Sequence, residues 1–198
     1  AEQIAEDMIK NGGLLSYDDL SNYTTTRTDP LKGSYRGFEI ASNRPPGGGI
    51  MLLEMLNILE NFDLRKIGHN TAEYIRIVSE AMKQATIDKE MFVGDPTFVE
   101  IPVTRLLSSG HASTAAERIK SHKKVNVERV TQPETKDTTH VVVVDEDGNC
   151  VTMTHSLGMP SGVITDGLGF MYNGAMGVFD PRPGRAGSIA PGKSRFTS

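Results

Sequence analysis

An α+β fold is what this sequence predicts, and three observations point there. Apolar residues recur at helical spacing in several runs up to Lys120. Residues 121–137 are polar, with His122, Lys123, Lys124, Gln132, Pro133, Glu134 and Lys136, and carry no sustained apolar period. Directly after them Thr138-Thr139-His140-Val141-Val142-Val143-Val144 has strong β-propensity. A helical part, a polar tether and a strand-rich part suggest helices covering a mainly antiparallel sheet.

The elements follow in order. Ile4, Met8 and Ile9 share one helical face, and Gly12-Gly13 supplies the stop. Ser16 is a capping residue for a second short helix, with Asp18 and Asp19 in its first turn. Residues 34–42 alternate well enough for a strand, and Pro45-Pro46-Gly47-Gly48-Gly49 then breaks the chain before an apolar helix from Ile50 to Leu59. Asn70 with Glu73 makes an Asn-x-x-Glu capping box ahead of Ala72, Ile75, Val78, Met82 and Ala85, a helix expected to run to Phe92. Gly94-Asp95-Pro96 ends it, and a further helix is expected over 112–120. In the β part Asp147-Gly148-Asn149 turns the first strand into Cys150–Ser156. From Gly158 on, glycines and prolines predict loops between short strands.

Composition narrows the function classes. With 198 residues, 37% hydrophobic and 23% charged, the chain can bury a substantial core. A net charge of −4 leaves no basic footprint for nucleic acid. No run reaches the ~18 apolar residues of a membrane span. Cys150 is the single cysteine, so an internal disulfide and a thiolate metal cluster are both excluded. The five histidines form no H-x-x-x-H pair, and no metal or other cofactor is expected. The chain opens Ala1-Glu2-Gln3-Ile4, in mid-helix and without methionine, and this sets no compartment.

Two motifs are set aside. Gly187–Ser194 fits G-x-x-x-x-G-K-[ST] letter for letter, but the proline-rich stretch before it is not a buried strand, and Pro191 removes a backbone N–H where phosphates would be cradled. Asp145–Asn149 resembles a calcium loop, but its glycine comes two positions early and no glutamate follows at the twelfth.

The junction at 137/138 carries a resemblance. Thr138-Thr139-His140, followed by Val144-Asp145 and Gly148-Asn149, is similar to the start of the small subunit of γ-glutamyltranspeptidases. Upstream, Gly12-Gly13-Leu14-Leu15, Pro45-Pro46-Gly47-Gly48-Gly49, Glu80-Ala81-Met82-Lys83 and Gly94-Asp95-Pro96 resemble that family's large subunit. Downstream, Phe179–Gly184 and Ala190–Lys193 fit as well, and the matches keep their order along the chain. The resemblance implies the αββα four-layer sandwich of the N-terminal-nucleophile hydrolases, of which this chain supplies part. It divides the chain into 1–137, the end of a large-subunit segment, and 138–198, the start of a catalytic small subunit.

It also implies a chemistry. A threonine hydroxyl needs a base beside it, and an N-terminal threonine supplies its own, because its α-amine has a pKa near 8. That amine exists only after the Asp137–Thr138 bond is broken. By resemblance Thr138 is the nucleophile, and Ser156, eighteen positions on at the end of the return strand, hydrogen-bonds and orients its α-amine. Thr197 and Ser198 match a hydroxyl pair that contacts the substrate carboxylate, and Gly158 stands where the family usually has asparagine. The family's oxyanion-hole glycines and carboxylate-gripping arginine fall outside these residues, so the chain alone is expected to be inactive.

Where transpeptidases carry glutamine and aspartate for the donor's α-amino group, this chain has Ala175 and Val178. An ammonium group against valine is costly. The expected substrate is therefore a small-molecule amide of an acylase or oxamate type, processed by paired large and small subunits of one precursor. A true γ-glutamyltransferase or glutathione hydrolase, or an inactive relative serving as a binding protein, are the alternatives.

Overall fold

The computed structural model describes residues 1–127 and 138–196. The chain divides into two compact units, residues 28–132 with 179–198 and residues 1–27 with 133–178.

The first of these units is helical. It contains β1 (Leu31–Tyr35), β2 (Phe38–Ser42), α3 (Gly49–Leu59), α4 (Leu64–Ile67), α5 (Ala72–Phe92), α6 (Val103–Leu106) and α7 (Ser109–Lys120); α1 (Glu2–Lys10) and α2 (Tyr17–Ser21) belong to the other. Helices α3, α5 and α7 enclose one core of Ile58, Ile77, Ala81, Ala112, Ala115 and Ile119. Three alanines in that set let helix backbones approach closely. A second core joins Leu31 of β1 to Ile50, Leu53, Val93 and Leu106. A Cβ on Gly33 would lie 2.7 Å from Leu53 Cδ2, so β1 rests on α3 through a residue without a side chain.

Two local expectations are corrected here. The single strand over 34–42 is a hairpin, β1 pairing antiparallel with β2 from Leu31↔Ser42 to Tyr35↔Phe38. Its two-residue turn has positive φ at both Arg36 (51°) and Gly37 (85°), as the twist of a tight hairpin requires. Arg36 tolerates that conformation because its N–H donates to Glu60 Oε1 at 2.8 Å and its guanidinium lies over Tyr35. The cap of α5 is Thr71, whose Oγ1 accepts the Tyr74 N–H at 3.2 Å. Asn70 takes a left-handed φ of 58° instead of capping, and Glu73 pairs with Arg76. Helix α7 also starts earlier than expected, with Ser108 as its cap.

The other unit combines α1 and α2 with four of the six described strands, β3 (Thr138–Val144), β4 (Cys150–Ser156), β5 (Pro160–Ile164) and β6 (Met171–Asn173), and a 3-10 turn over Ala175–Val178. Ser16 caps α2 as expected, and Asp19 returns the bond to the Ser16 N–H at 2.8 Å. Helix α1 is tied to the loop after β5: Thr165 Oγ1 donates to Asp7 Oδ2 at 2.5 Å, and the Tyr172 hydroxyl lies 2.6 Å from the same Thr165 oxygen.

All three ladders are antiparallel and two-stranded. Every residue of β3 and β4 is exposed. Helices α3, α5 and α7 pack on one another, and α3 also packs on β1.

Candidate active site

The β3–β4 hairpin sets the site. Its turn is closed by Asp145, whose carboxylate accepts the Asn149 N–H and Asn149 Nδ2, both at 2.8 Å, and the Asp147 N–H at 3.1 Å. The bonds from Asn149 hold the Asp145 carboxyl below its usual range. Gly148, at φ 81°, takes the left-handed position of the turn. What the sequence could read as a calcium loop is a carboxylate satisfied by its own backbone.

From that turn the register runs without a bulge from Val144↔Cys150 to Thr138↔Ser156. Side chains alternate across the ladder, so Thr138, His140 and Val142 share a face with Ser156, Thr154 and Thr152. The opposite face carries Thr139, Val141 and Val143 with His155, Met153 and Val151. One face is polar and hydroxyl-rich, and the other is mainly apolar.

On the polar face the Thr138 and Ser156 hydroxyls lie 3.0 Å apart. Ser156 Oγ also accepts the Gly158 N–H at 3.0 Å, and Gly158 turns the chain with a φ of 71°. With one lone pair taken by that N–H, the serine hydroxyl is oriented toward the threonine. One step along the same face, His140 Nδ1 lies 2.9 Å from Thr154 Oγ1. A packing or hydrogen-bonding role on a paired strand is what the sequence suggests for this histidine, and the strand alternation puts it on the same side as Thr138.

Of the residues singled out from the sequence, the fold brings Thr138, Ser156 and Gly158 together. Asp137, Thr197 and Ser198 lie outside the described residues. Ala175 and Val178 bound the 3-10 turn that follows β6. In the phosphate-loop lookalike, Ser188 Oγ bonds the Arg182 carbonyl and accepts the Arg185 N–H, and no described helix follows it.

A second polar cluster escaped the sequence reading, because its members are far apart in the chain. Glu54, Asp88 and His111, from α3, α5 and α7, place their ligand atoms within 4.8 Å of one another. His111 Nε2 lies 3.0 Å from Asp88 Oδ2 and 3.3 Å from Glu54 Oε1, and Gln84 Nε2 donates to Asp88 at 2.5 Å. Burial, with the Asp88 carboxylate beside it, pushes the Glu54 carboxyl up to about 9. A proton held on Glu54 at neutral pH balances the cluster.

Mixed helix and antiparallel strand is the architecture expected of part of an N-terminal-nucleophile hydrolase fold. The family model for γ-glutamyltranspeptidase matches residues 1–198, and the chain belongs to that family. Its relatives include the glutathione hydrolase proenzyme of Escherichia coli strain K12, 38% identical over 93% of this chain and 33% of that protein. Another is the acylase ACY 1 proenzyme of Pseudomonas sp. strain V22, 40% identical over 98% of this chain and 36% of that protein. The chain thus spans about a third of the length of these relatives.

Among solved structures, cephalosporin acylase from Bacillus halodurans matches all of this chain with a TM-score of 0.79 at 28% identity, covering 36% of that chain. γ-Glutamyltranspeptidase from Helicobacter pylori matches 60% of this chain and 34% of its own, at 40% identity and a TM-score of 0.58. The N-terminal-nucleophile hydrolase fold read from the sequence is the fold of these neighbours.

Proposed function

We propose that the parent protein is a self-processing amidohydrolase in which Thr138 is both the agent of its own release and the catalytic nucleophile. The 3.0 Å contact between the Thr138 and Ser156 hydroxyls carries this reading. In the continuous chain the Thr138 nitrogen is an amide and cannot act as a base. The Thr138 hydroxyl attacks the Asp137 carbonyl carbon, the C–N bond breaks in an N-to-O acyl shift, and the nitrogen takes up the proton. Water then hydrolyses the ester, leaving a carboxylate on Asp137 and a free amine on Thr138. The products are a segment ending at 137 and a segment starting at 138.

In the processed form the α-amine accepts the hydroxyl proton as Oγ1 attacks the substrate's amide carbonyl. The same proton passes to the departing amine, and water releases the acyl group from the ester. Ser156 orients the Thr138 hydroxyl, and the exposed face around them gives a substrate room to approach. Thr197 and Ser198 are proposed to contact the substrate carboxylate, and Gly158 to line the acyl site.

Ala175 and Val178 favour an acyl group without an α-ammonium, of the acylase or oxamate kind, because neither side chain accepts a hydrogen bond or balances a positive charge. Named relatives include both a glutathione hydrolase and an acylase, and this feature supports the acylase reading.

Intact-mass and N-terminal analysis of the full-length parent tests the reading. Two chains meeting at 137/138 are expected, and Thr138→Ala is expected to stay a single chain with amidase activity down by at least roughly 10³-fold. Amidase activity in an unprocessed parent would refute it. Faster turnover of γ-glutamyl than of glutaryl or oxamate amides would reverse the substrate assignment.

A further inference from the structure

The turn that leaves Ser156 is not a free loop. The Gly174 N–H donates to two carbonyls on it, Met159 O at 2.5 Å and Leu157 O at 3.2 Å. A Cβ on Gly174 would lie 2.6 Å from the Met159 oxygen and 3.1 Å from its carbonyl carbon. Those are backbone atoms and cannot swing aside, so a side chain at Gly174 would lift the segment off its seat. At Gly177 an added Cβ would meet only the Met159 Cε and Sδ, at 3.3 and 3.4 Å. The thioether tip of Met159 therefore lies against the 3-10 turn.

Contacts run without a gap from the nucleophile to this turn. The Thr138 hydroxyl touches Ser156, Ser156 accepts the Gly158 N–H, and the next residue, Met159, holds Gly174 and packs on Gly177. The side chains presented by the turn are Ala175, Met176 and Val178, with Met176 65% exposed. An apolar turn is thus linked to the hydroxyl pair through Gly158 and Met159, the latter with an unbranched, adaptable side chain.

We propose that Met159 is a specificity-determining residue, whose thioether, seated against the Gly174–Val178 turn, selects acyl groups that lack an α-ammonium over acyl groups that bear one. The inference rests on Thr138 being the nucleophile, and it deepens that reading by naming the residue that sorts substrates. An ammonium group brought against Met159, Ala175 and Val178 would lose water and gain no acceptor. A methylene at the same place loses nothing. Discrimination of this kind is set by the chemistry of one contact more than by its volume.

The test uses the full-length parent and three variants, Met159→Leu, Met159→Gln and Gly174→Ala. Each is assayed for processing and for kcat/KM on matched glutaryl and γ-glutamyl anilides, which differ only by the ammonium. Wild type and Met159→Leu are expected to prefer the glutaryl substrate by a similar ratio. Met159→Gln keeps the side-chain length and adds an acceptor, so its ratio is expected to fall roughly tenfold or more, with processing unchanged. Gly174→Ala, which unseats the turn, is expected to lower the ratio in the same direction.

A processed, active Met159→Gln enzyme whose ratio lies within twofold of wild type would overturn the proposal. So would a Gly174→Ala enzyme that processes normally and keeps the wild-type ratio. These failures differ from failure of the nucleophile assignment, in which the wild-type parent itself yields no new terminus at Thr138. Should Met159→Gln fail to process, the Gly174→Ala ratio decides.

Discussion

At the scale of single residues, the site is two hydroxyls and an amide. Ser156 can orient Thr138 because the Gly158 N–H occupies one of its lone pairs. Ser156→Ala removes the contact and leaves the hairpin backbone alone, so processing and turnover are both expected to slow by roughly 10²-fold, the scale of losing one oriented donor. Ser156→Thr keeps the hydroxyl and should restore most of the rate; cleavage half-times by gel and kcat on an amide read both. Equal rates in the alanine variant would remove Ser156 from the mechanism. Thr138 and Ser156 could be singled out in sequence through the family resemblance, and the hairpin turn at Asp147-Gly148-Asn149 sets them opposite each other. Met159 could not, since its contacts with Gly174 and Gly177 come from the segment after β6.

The helices illustrate how a local pattern can be right about an element and wrong about its edge. Asn70 and Glu73 satisfy the letter of a capping box, yet Thr71 caps α5, because Gly68 and Asn70 both take positive φ and shift the helix start by one residue. The cluster of Glu54, Asp88 and His111 had no local signature at all, its members being supplied by three helices. Its consequence is a pH dependence. Glu54 in the fold holds its proton up to about 9, against an ordinary value of 4.5. Between those values the folded chain binds more protons than the unfolded one, so stability falls as pH rises through that window, by at most about 1.4 kcal/mol per pH unit. Glu54→Gln keeps the shape and the donor while removing the titration. Thermal melts from pH 5 to pH 9 should show a decline for wild type that the glutamine variant lacks; parallel curves would rule the buried proton out.

For the molecule as a whole, the sequence legibly predicted helix-rich and strand-rich stretches but not how they group. Helix α1 lies in the same compact unit as β3–β4, more than a hundred positions later. Only a contact such as Thr165 to Asp7, across 158 positions, reveals that grouping. The strand alternation of the hairpin gathers Val141, Val143, Val151 and Met153 into an exposed apolar face. An unpaired strand edge beside such a face is a template for self-association. The isolated chain is therefore expected to associate with increasing concentration, and Val143→Lys, on the face away from Thr138, should shift light-scattering mass toward the monomer. A monomeric wild-type chain at high concentration would contradict this.

Asp95 is buried near the end of α5 and accepts the Ser194 N–H at 2.6 Å, across 99 positions of sequence. Residues on both sides of the 137/138 junction likewise make up each compact unit. Severing that peptide link would therefore leave each unit still drawing on both resulting segments. Hydrolysis there would free an amine while bonds such as Ser194 to Asp95 and Thr165 to Asp7 go on tying one piece to the other.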